Sequence, residues 1–251
     1  MKMNKKYCFT DLHGDYKLWK QIQEWADESD KLVFLGDACD RGVAGIQILT
    51  EMREDPRVKV VYGNHEDFLL NIGYDILEGN YSMIKPWVEN GGGPTCQAFL
   101  SLTREEQINL LEWLKDIPVV LNYTNPCGQQ IILTHAGFSP DKQPSLDKSP
   151  LDYIWDRDHL QRLWPQDKEY ENLYIIHGHT PVQYLYHYGQ AKMKIDEYGI
   201  EEIAIYGRGH KIDLDLATFE TGKIVLFDLD ELKVAKTFYN NDKVWERVNN
   251  A

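Results

Sequence analysis

Cysteine is scarce and scattered: Cys8, Cys39, Cys96 and Cys127 are the only four in 251 residues, and no C-x-x-C pair occurs. Such spacing suggests no disulfide framework, so reduced thiols in a cytoplasmic protein are the expectation. Long apolar runs are lacking too. No stretch is long enough to span a bilayer, and no apolar run before Asp11 has the length of a signal peptide, so no membrane association is expected. Positive charge is in deficit, with 27 Lys and Arg against 40 Asp and Glu, a formal net charge of −13. No basic stripe is available to displace counterions, which argues against general nucleic-acid binding and makes a nuclease the weaker option. An acidic protein still handles phosphate when metal ions supply local positive charge. Repeats, low-complexity tracts and composition shifts are absent as well. The chain is therefore expected to form a single domain over residues 1–251, with 183–210 as an insertion and 211–251 as closing strands and tail.

What is present is a series of short apolar strands, each ending in a polar break. Residues 6–10 read as the first strand, leading into Thr10-Asp11-Leu12-His13-Gly14-Asp15. Leu18, Trp19, Ile22 and Trp25 then recur at helical spacing, with Asp15 as N-cap. Residues 32–35 read as a second buried strand, broken by Gly36 and followed by Asp37, Asp40, Arg41 and Gly42. Residues 43–53 read as its returning helix. A third strand, 58–62, runs into Gly63-Asn64-His65-Glu66-Asp67. Asn64 either caps the helix that follows, with Asp67 completing a capping box, or presents its oxygen to a metal beside His65. One oxygen does not do both jobs well.

Residues 71–128 look helical and irregular. The break at Asn90-Gly91-Gly92-Gly93-Pro94 allows close backbone approach, and Ser101 or Thr103 with Glu106 marks a helix start. Residues 118–123 and 129–134 read as a hairpin ending at His135, where a lone histidine is more often structural than a ligand. Residues 141–150 read as a surface loop. Arg157 stands between Asp156 and Asp158 in what reads as a solvated helix face. A further strand, 173–176, leads to His177-Gly178-His179-Thr180-Pro181, and two histidines at a strand end point to metal or phosphate chemistry. Residues 212–216 and 223–229 read as a closing hairpin.

Charged side chains at the carboxyl ends of buried strands sit where open α/β sheets place their ligands. Collected, those donors are Asp11, His13, Asp37, Asn64, His135 and His179. Six oxygen and nitrogen donors are too many for one structural zinc. They suit two divalent metals roughly 3.5–4 Å apart that share a bridging carboxylate. Asp37 is the natural bridge, with Asp11 and His13 completing one site and Asn64, His135 and His179 the other. His65 is the candidate general acid, Asp40 its hydrogen-bond partner, and Arg41 and Arg157 the candidate phosphate-gripping donors.

The ordered set Thr10-Asp11-Leu12-His13-Gly14, Gly36-Asp37-Ala38-Cys39-Asp40-Arg41-Gly42, Gly63-Asn64-His65-Glu66, Thr134-His135-Ala136-Gly137 and Gly178-His179-Thr180-Pro181 resembles the motifs of calcineurin-like metallophosphoesterases. Within that group it is most similar to the bacterial and phage phosphoprotein phosphatases of the lambda type. Asn90-Gly91-Gly92-Gly93 and Ile154-Trp155-Asp156-Arg157 also have counterparts there. The resemblance covers residues 6–182. It implies an α/β fold, a two-sheet β-sandwich flanked by helices, and a centre of two divalent metal ions, manganese first with iron or zinc as alternatives. Attack by metal-bound hydroxide, with no phosphoenzyme, is the implied chemistry. The resemblance also takes His179, not His177, as the ligand. Two departures concern the substrate rim: Ile212-Asp213-Leu214-Asp215-Leu216-Ala217 replaces an expected Asp-Thr-Gly-Ala segment, and 183–210 is longer than the lambda pattern.

The main expectation is a metal-dependent phosphatase acting on phosphoserine and phosphothreonine, with phosphotyrosine as a secondary substrate, in proteins or peptides. The alternative is a dinucleoside polyphosphate hydrolase, since the symmetrical diadenosine tetraphosphate hydrolases share these motifs. A metal-binding module without catalysis fits less well, because His65, Asp40, Arg41 and Arg157 would have no reason to accompany the ligands.

Overall fold

Alternate residues of the inner strands face opposite ways, and in this chain both faces are buried. The computed structural model describes residues 4–138, 140 and 150–250; most of the loop expected at 141–150 lies outside the described residues. The first half of the chain runs β1 (Lys6–Phe9), α1 (Tyr16–Trp25), β2 (Lys31–Phe34), α2 (Gly45–Glu54), β3 (Val58–Val60) and α3 (Asn64–Leu77). Three further helices follow, α4 (Ile84–Trp87), α5 (Gly93–Ser101) and α6 (Arg104–Lys115). The second half continues with β4 (Val120–Thr124), β5 (Gln130–Thr134), α7 (Asp152–Trp155), β6 (Leu173–His177) and α8 (Val182–His187). It closes with β7 (Ala204–Tyr206), β8 (Lys211–Asp213), α9 (Thr218–Thr221), β9 (Lys223–Asp228), β10 (Lys233–Tyr239) and α10 (Asn241–Asn250). Among the described residues no helix is long and apolar enough to cross a membrane.

The strands form two five-stranded sheets, ordered β10-β9-β1-β2-β3 and β4-β5-β6-β8-β7. Both are mixed: β1, β2 and β3 pair in parallel, as do β5, β6 and β8, with antiparallel strands at the edges. Tyr7 and Phe9 of β1, Leu32 and Phe34 of β2 and Ile224 and Leu226 of β9 pack with the helices. Their neighbours Cys8, Val33, Val225 and Phe227 point the other way, into a core shared with Ile131, Leu133, Ile176 and Ile212 of the second sheet. Burial on both faces explains why these strands read as unbroken apolar runs. The layered sandwich implied by the resemblance is the fold observed.

Local signals position the helices. Asp15 caps α1 by accepting from the Leu18 amide at 3.2 Å, and Leu18, Trp19 and Ile22 are its buried face. Thr103 and Glu106 close a capping box on α6. The stack of Phe9 between Trp19 and Phe34, with ring centroids 6.1 and 5.2 Å apart, anchors the helix layer. Truncating such a ring to alanine costs about 3–5 kcal/mol, a large share of typical domain stability.

Two expectations about local structure are corrected. Residues 212–216 and 223–229 are not a hairpin: β8 belongs to the second sheet and β9 to the first, and the intervening chain crosses between them. Leu214 and Leu216 are buried in the inter-sheet core, so the apolar alternation was real but not a strand signal. The hairpin partner of β9 is β10, an edge strand with only Phe238 buried, so its sequence carries no clear apolar alternation. The expected helix around Arg157 is also shorter, stopping at Trp155 before a 3-10 turn at Asp158–Gln161.

Candidate metal centre

The loops leaving β1 and β2 continue to pair after the strands end. Asp11 donates its amide to the Gly36 carbonyl at 3.0 Å, His13 to Asp37 at 2.9 Å and Gly14 to Ala38 at 2.8 Å. This zipper sets Asp11, His13 and Asp37 side by side. It also forces unusual backbone geometry. Of the nine non-glycine residues with positive φ among the described residues, six are Asp11, His13, Asp37, Asp40, Arg41 and His179. Each such residue costs roughly 1–3 kcal/mol, and strain of this kind concentrates where side-chain placement matters.

All six predicted donors are buried. His13 donates Nδ1–H to the Cys39 carbonyl at 2.9 Å, which leaves Nε2 turned toward Asp11 Oδ1 and Asp37 Oδ2 at 3.9 and 3.8 Å. On the other side, His135 donates Nδ1–H to the Leu35 carbonyl at 2.7 Å. Its Nε2 then faces Asn64 Oδ1 at 2.8 Å and Asp37 Oδ1 at 3.3 Å. Asn64 Oδ1 is also 2.8 Å from His179 Nδ1. The donors fall into two groups that can each hold a metal ion, His13 with Asp37 and His65, and Asp37 with His135 and His179. Asp37 belongs to both.

The two readings of Asn64 are separated by this geometry. Gly63 occupies the cap position of α3, and Glu66, not Asp67, supplies the side-chain half of the cap by accepting from the Gly63 amide at 3.1 Å. The Asn64 oxygen is thus free to face the imidazoles.

The residues present fit a pair of cations. Imidazole nitrogens and carboxylate or amide oxygens converge on two points, a donor set suited to divalent cations. Asp11 Oδ1 and His179 Nε2 are buried without a hydrogen-bond partner among the described residues. Burial works against charge on His135, yet Asp37, Asp11 and Glu66 outweigh it and push its pKa up to about 10. Burial, with His135 close by, drives His179 down to about 2, so it stays a neutral imidazole. His177, the alternative, turns away: it is buried, lies 2.7 Å from the Tyr206 hydroxyl through Nε2, and is held neutral by burial. The Cys39 thiol is buried and its pKa is pushed well up by that burial, so it is inert.

His65 adjoins the first group, with Nε2 3.8 Å from Asp37 Oδ2 and Nδ1–H donating to Asp40 Oδ2 at 2.6 Å. Burial lowers its pKa, but the Asp37 charge and the Asp40 bond more than compensate, leaving it raised. Trp87, which the sequence did not flag, donates Nε1–H to the same Asp40 oxygen at 2.9 Å. Glu66 was also missed. Its carboxylate accepts from the Asp37 and Ala38 amides, both at 2.8 Å, and so pins the loop that carries Asp37. Its place three residues after the cap was the available signal.

Arg41 and Arg157 stand apart from this buried cluster, at the mouth of a cleft of about 840 Å³ that His179 also lines. The Arg41 amide donates to the Gly91 carbonyl at 2.8 Å, and a Cβ at Gly91 would come 3.1 Å from Arg41 Cγ, which explains the glycine break. Arg157 is held by Nε–H donation to Thr180 Oγ1 at 3.1 Å.

Comparison with known proteins follows the same chemistry. The family profile for calcineurin-like phosphoesterases matches residues 5–212. A symmetrical bis(5'-nucleosyl)-tetraphosphatase of Coxiella burnetii is 27% identical over 137 residues, covering 53% of this chain and 42% of that protein. The chain thus spans about two fifths of that relative. The asymmetrical bis(5'-nucleosyl)-tetraphosphatase PrpE of Oceanobacillus iheyensis is 26% identical over 187 residues, 66% of this chain and 70% of that one. A crystal structure provisionally described as a diadenosine tetraphosphatase aligns over 95% of this chain and 94% of its own with a TM-score of 0.59; at 14% identity this speaks to the fold alone. These relatives correct the expectation of a phosphoprotein substrate, since they are named for tetraphosphates. The motifs behind that expectation lie in the loops that carry the candidate metal donors, and such loops serve phosphoesterases of different substrates.

Proposed function

Because the chain belongs to the calcineurin-like phosphoesterase family, we propose that it hydrolyses a phosphoanhydride bond of a bis(5'-nucleosyl) tetraphosphate at a two-cation centre. The observation that carries this reading is Asp37, one carboxylate common to two donor groups beside an arginine-lined cleft. In this assignment Asp11, His13 and Asp37 hold one cation, and Asp37, Asn64, His135 and His179 the other. Bound there, divalent cations supply Lewis acidity, which neutralises phosphate charge and makes water acidic enough to attack. Manganese is the first candidate, with iron and zinc as alternatives.

The side chains have distinct tasks in this reading. Arg41 and Arg157 grip phosphoryl oxygens at the cleft mouth, where planar guanidinium groups make paired bonds that lysine does not. His65 holds a proton at Nε2 for the departing phosphate oxygen, and Asp40 fixes the ring through Nδ1–H. Trp87 and Thr95 fix Asp40 in turn, the latter by accepting from its amide at 2.8 Å. Residues 183–210 serve the substrate rim, not the metal centre.

The test strips the protein of metal and refills it with manganese, iron, zinc or magnesium. Diadenosine tetraphosphate, a phosphoserine peptide and 4-nitrophenyl phosphate are then compared. The expected result is metal-dependent turnover with the tetraphosphate preferred, and product analysis separates symmetrical from asymmetrical cleavage. Turnover of the phosphopeptide with none of the tetraphosphate would overturn the substrate reading.

A further inference from the structure

The cleft does not end at the phosphate-gripping arginines. It runs on past Thr180 and Pro181 to α8, where Gln183, Tyr184 and Tyr188 line it, and reaches Arg247 of α10. Tyr184 and Tyr188 are 54% and 55% exposed. Four residues apart, on α8 and at its carboxyl cap, they lie on one side of the helix. Gln183 is held from behind: its Nε2 donates to Glu201 Oε2 at 3.0 Å, and Arg247 approaches the same carboxylate oxygen at 3.9 Å. That bond fixes the amide with its Oε1 buried and without a hydrogen-bond partner among the described residues.

An exposed aromatic pair lining the same cleft as two arginines has the chemistry of a nucleobase subsite. The base presents a π-face to the tyrosines, which is sequence-tolerant and strong enough to matter for affinity. Gln183, tied to Glu201, bounds the subsite beside them. We propose that Tyr184, Tyr188 and Gln183 hold the adenine of the substrate, so that its phosphate chain extends along the cleft to Arg157, Arg41 and His179. This deepens the tetraphosphate reading and rests on it for the identity of the substrate, while the base subsite itself is testable by binding alone.

The experiment measures binding of AMP and of ribose 5-phosphate, which differ by the base, to metal-free protein by titration calorimetry. Wild-type protein is expected to bind AMP about tenfold or more tightly than ribose 5-phosphate, in line with aromatic stacking of one base. The double variant Tyr184→Ala/Tyr188→Ala should lose that preference, and Tyr184→Phe/Tyr188→Phe should retain it. Both side chains are exposed, so circular dichroism should be unchanged in each variant. With diadenosine tetraphosphate the alanine variant should raise KM about tenfold and leave kcat near its starting value. Equal binding of the two ligands by wild-type protein, or a preference that survives the alanine substitutions, would overturn the subsite. Base preference without tetraphosphate turnover would support the subsite and sink only the substrate reading.

Discussion

Asn64 Oδ1 lies 2.8 Å from His135 Nε2, an acceptor facing a ring nitrogen whose partner nitrogen is already spent on the Leu35 carbonyl. The helix that begins at Asn64 does not need this side chain, because Gly63 and Glu66 cap it. Asn64→Ala should therefore leave the melting temperature of metal-free protein within about 2–4 °C of wild type, the equivalent of roughly 1 kcal/mol. It should weaken binding of the second cation by at least about tenfold. Metal content by mass spectrometry after dialysis against graded chelator checks both, and a full second site in the variant would remove Asn64 from the ligand set.

His65→Asn separates proton donation from metal binding. Positioned general acids contribute about 10²–10⁴-fold, and the contribution shrinks as the leaving group becomes a weaker base. The variant should keep both cations and lose most activity toward an alkyl phosphate. Its loss with a tetraphosphate, whose leaving group is itself a phosphate, should be smaller. Equal losses on the two substrates would show that His65 acts in some way other than protonating the leaving group.

Gly178 is fixed by its neighbours. A Cβ there would stand 2.1 Å from Asp11 Oδ2 and 2.5 Å from Thr10 Oγ1, too close for any side chain. Gly178→Ala should displace the Asp11 carboxylate, cost about 1–3 kcal/mol of stability and reduce affinity for the first cation more than for the second. Denaturant unfolding and cation titration read the two effects, and wild-type values in both would mean that the loop yields without moving Asp11.

Asp196 supplies the pH dependence. It accepts from Lys223 Nζ and the Tyr239 hydroxyl, both at 2.8 Å, tying segment 183–210 to β9 and β10. Burial raises its pKa, but these bonds outweigh burial and leave it below the ordinary carboxylate value. A depressed carboxyl stabilises the fold above the unfolded pKa and loses that contribution as pH falls through the folded one. Asp196→Asn should accordingly destabilise by about 1–3 kcal/mol at pH 7. The gap from wild type should begin to narrow below about pH 4. A gap in urea unfolding that does not narrow as pH falls below that point would mean that packing, not charge, is what the substitution removes.

The donors were legible in the sequence because each stands one to four residues beyond an apolar strand, and strands leave periodic traces. Asp11, Asp37, Asn64, His135 and His179 all share that placement. What was not legible were features without a local trace. The cap of α3 passed to Gly63 and Glu66, since the competing use of Asn64 depends on His135, 71 residues away. β10 went unseen because an edge strand with a single buried residue needs no apolar alternation, and the segment after β8 misled because its leucines serve the inter-sheet core. Substrate choice was misread for a related reason. The motifs that prompted it surround the metal-facing donors, while the rest of the cleft, Tyr184 and Tyr188 included, carries none of them.

The centre draws Asp11, His13, Asp37 and Asn64 from the ends of β1, β2 and β3, and His135 and His179 from the ends of β5 and β6, which belong to the other sheet. Whatever bridges these donors also rivets one layer of the sandwich to the other along its upper seam. Occupancy and mechanical integrity are thereby joined. Depleting the centre would first register as faster amide exchange where β1 and β5 end, well before the outer helices loosen.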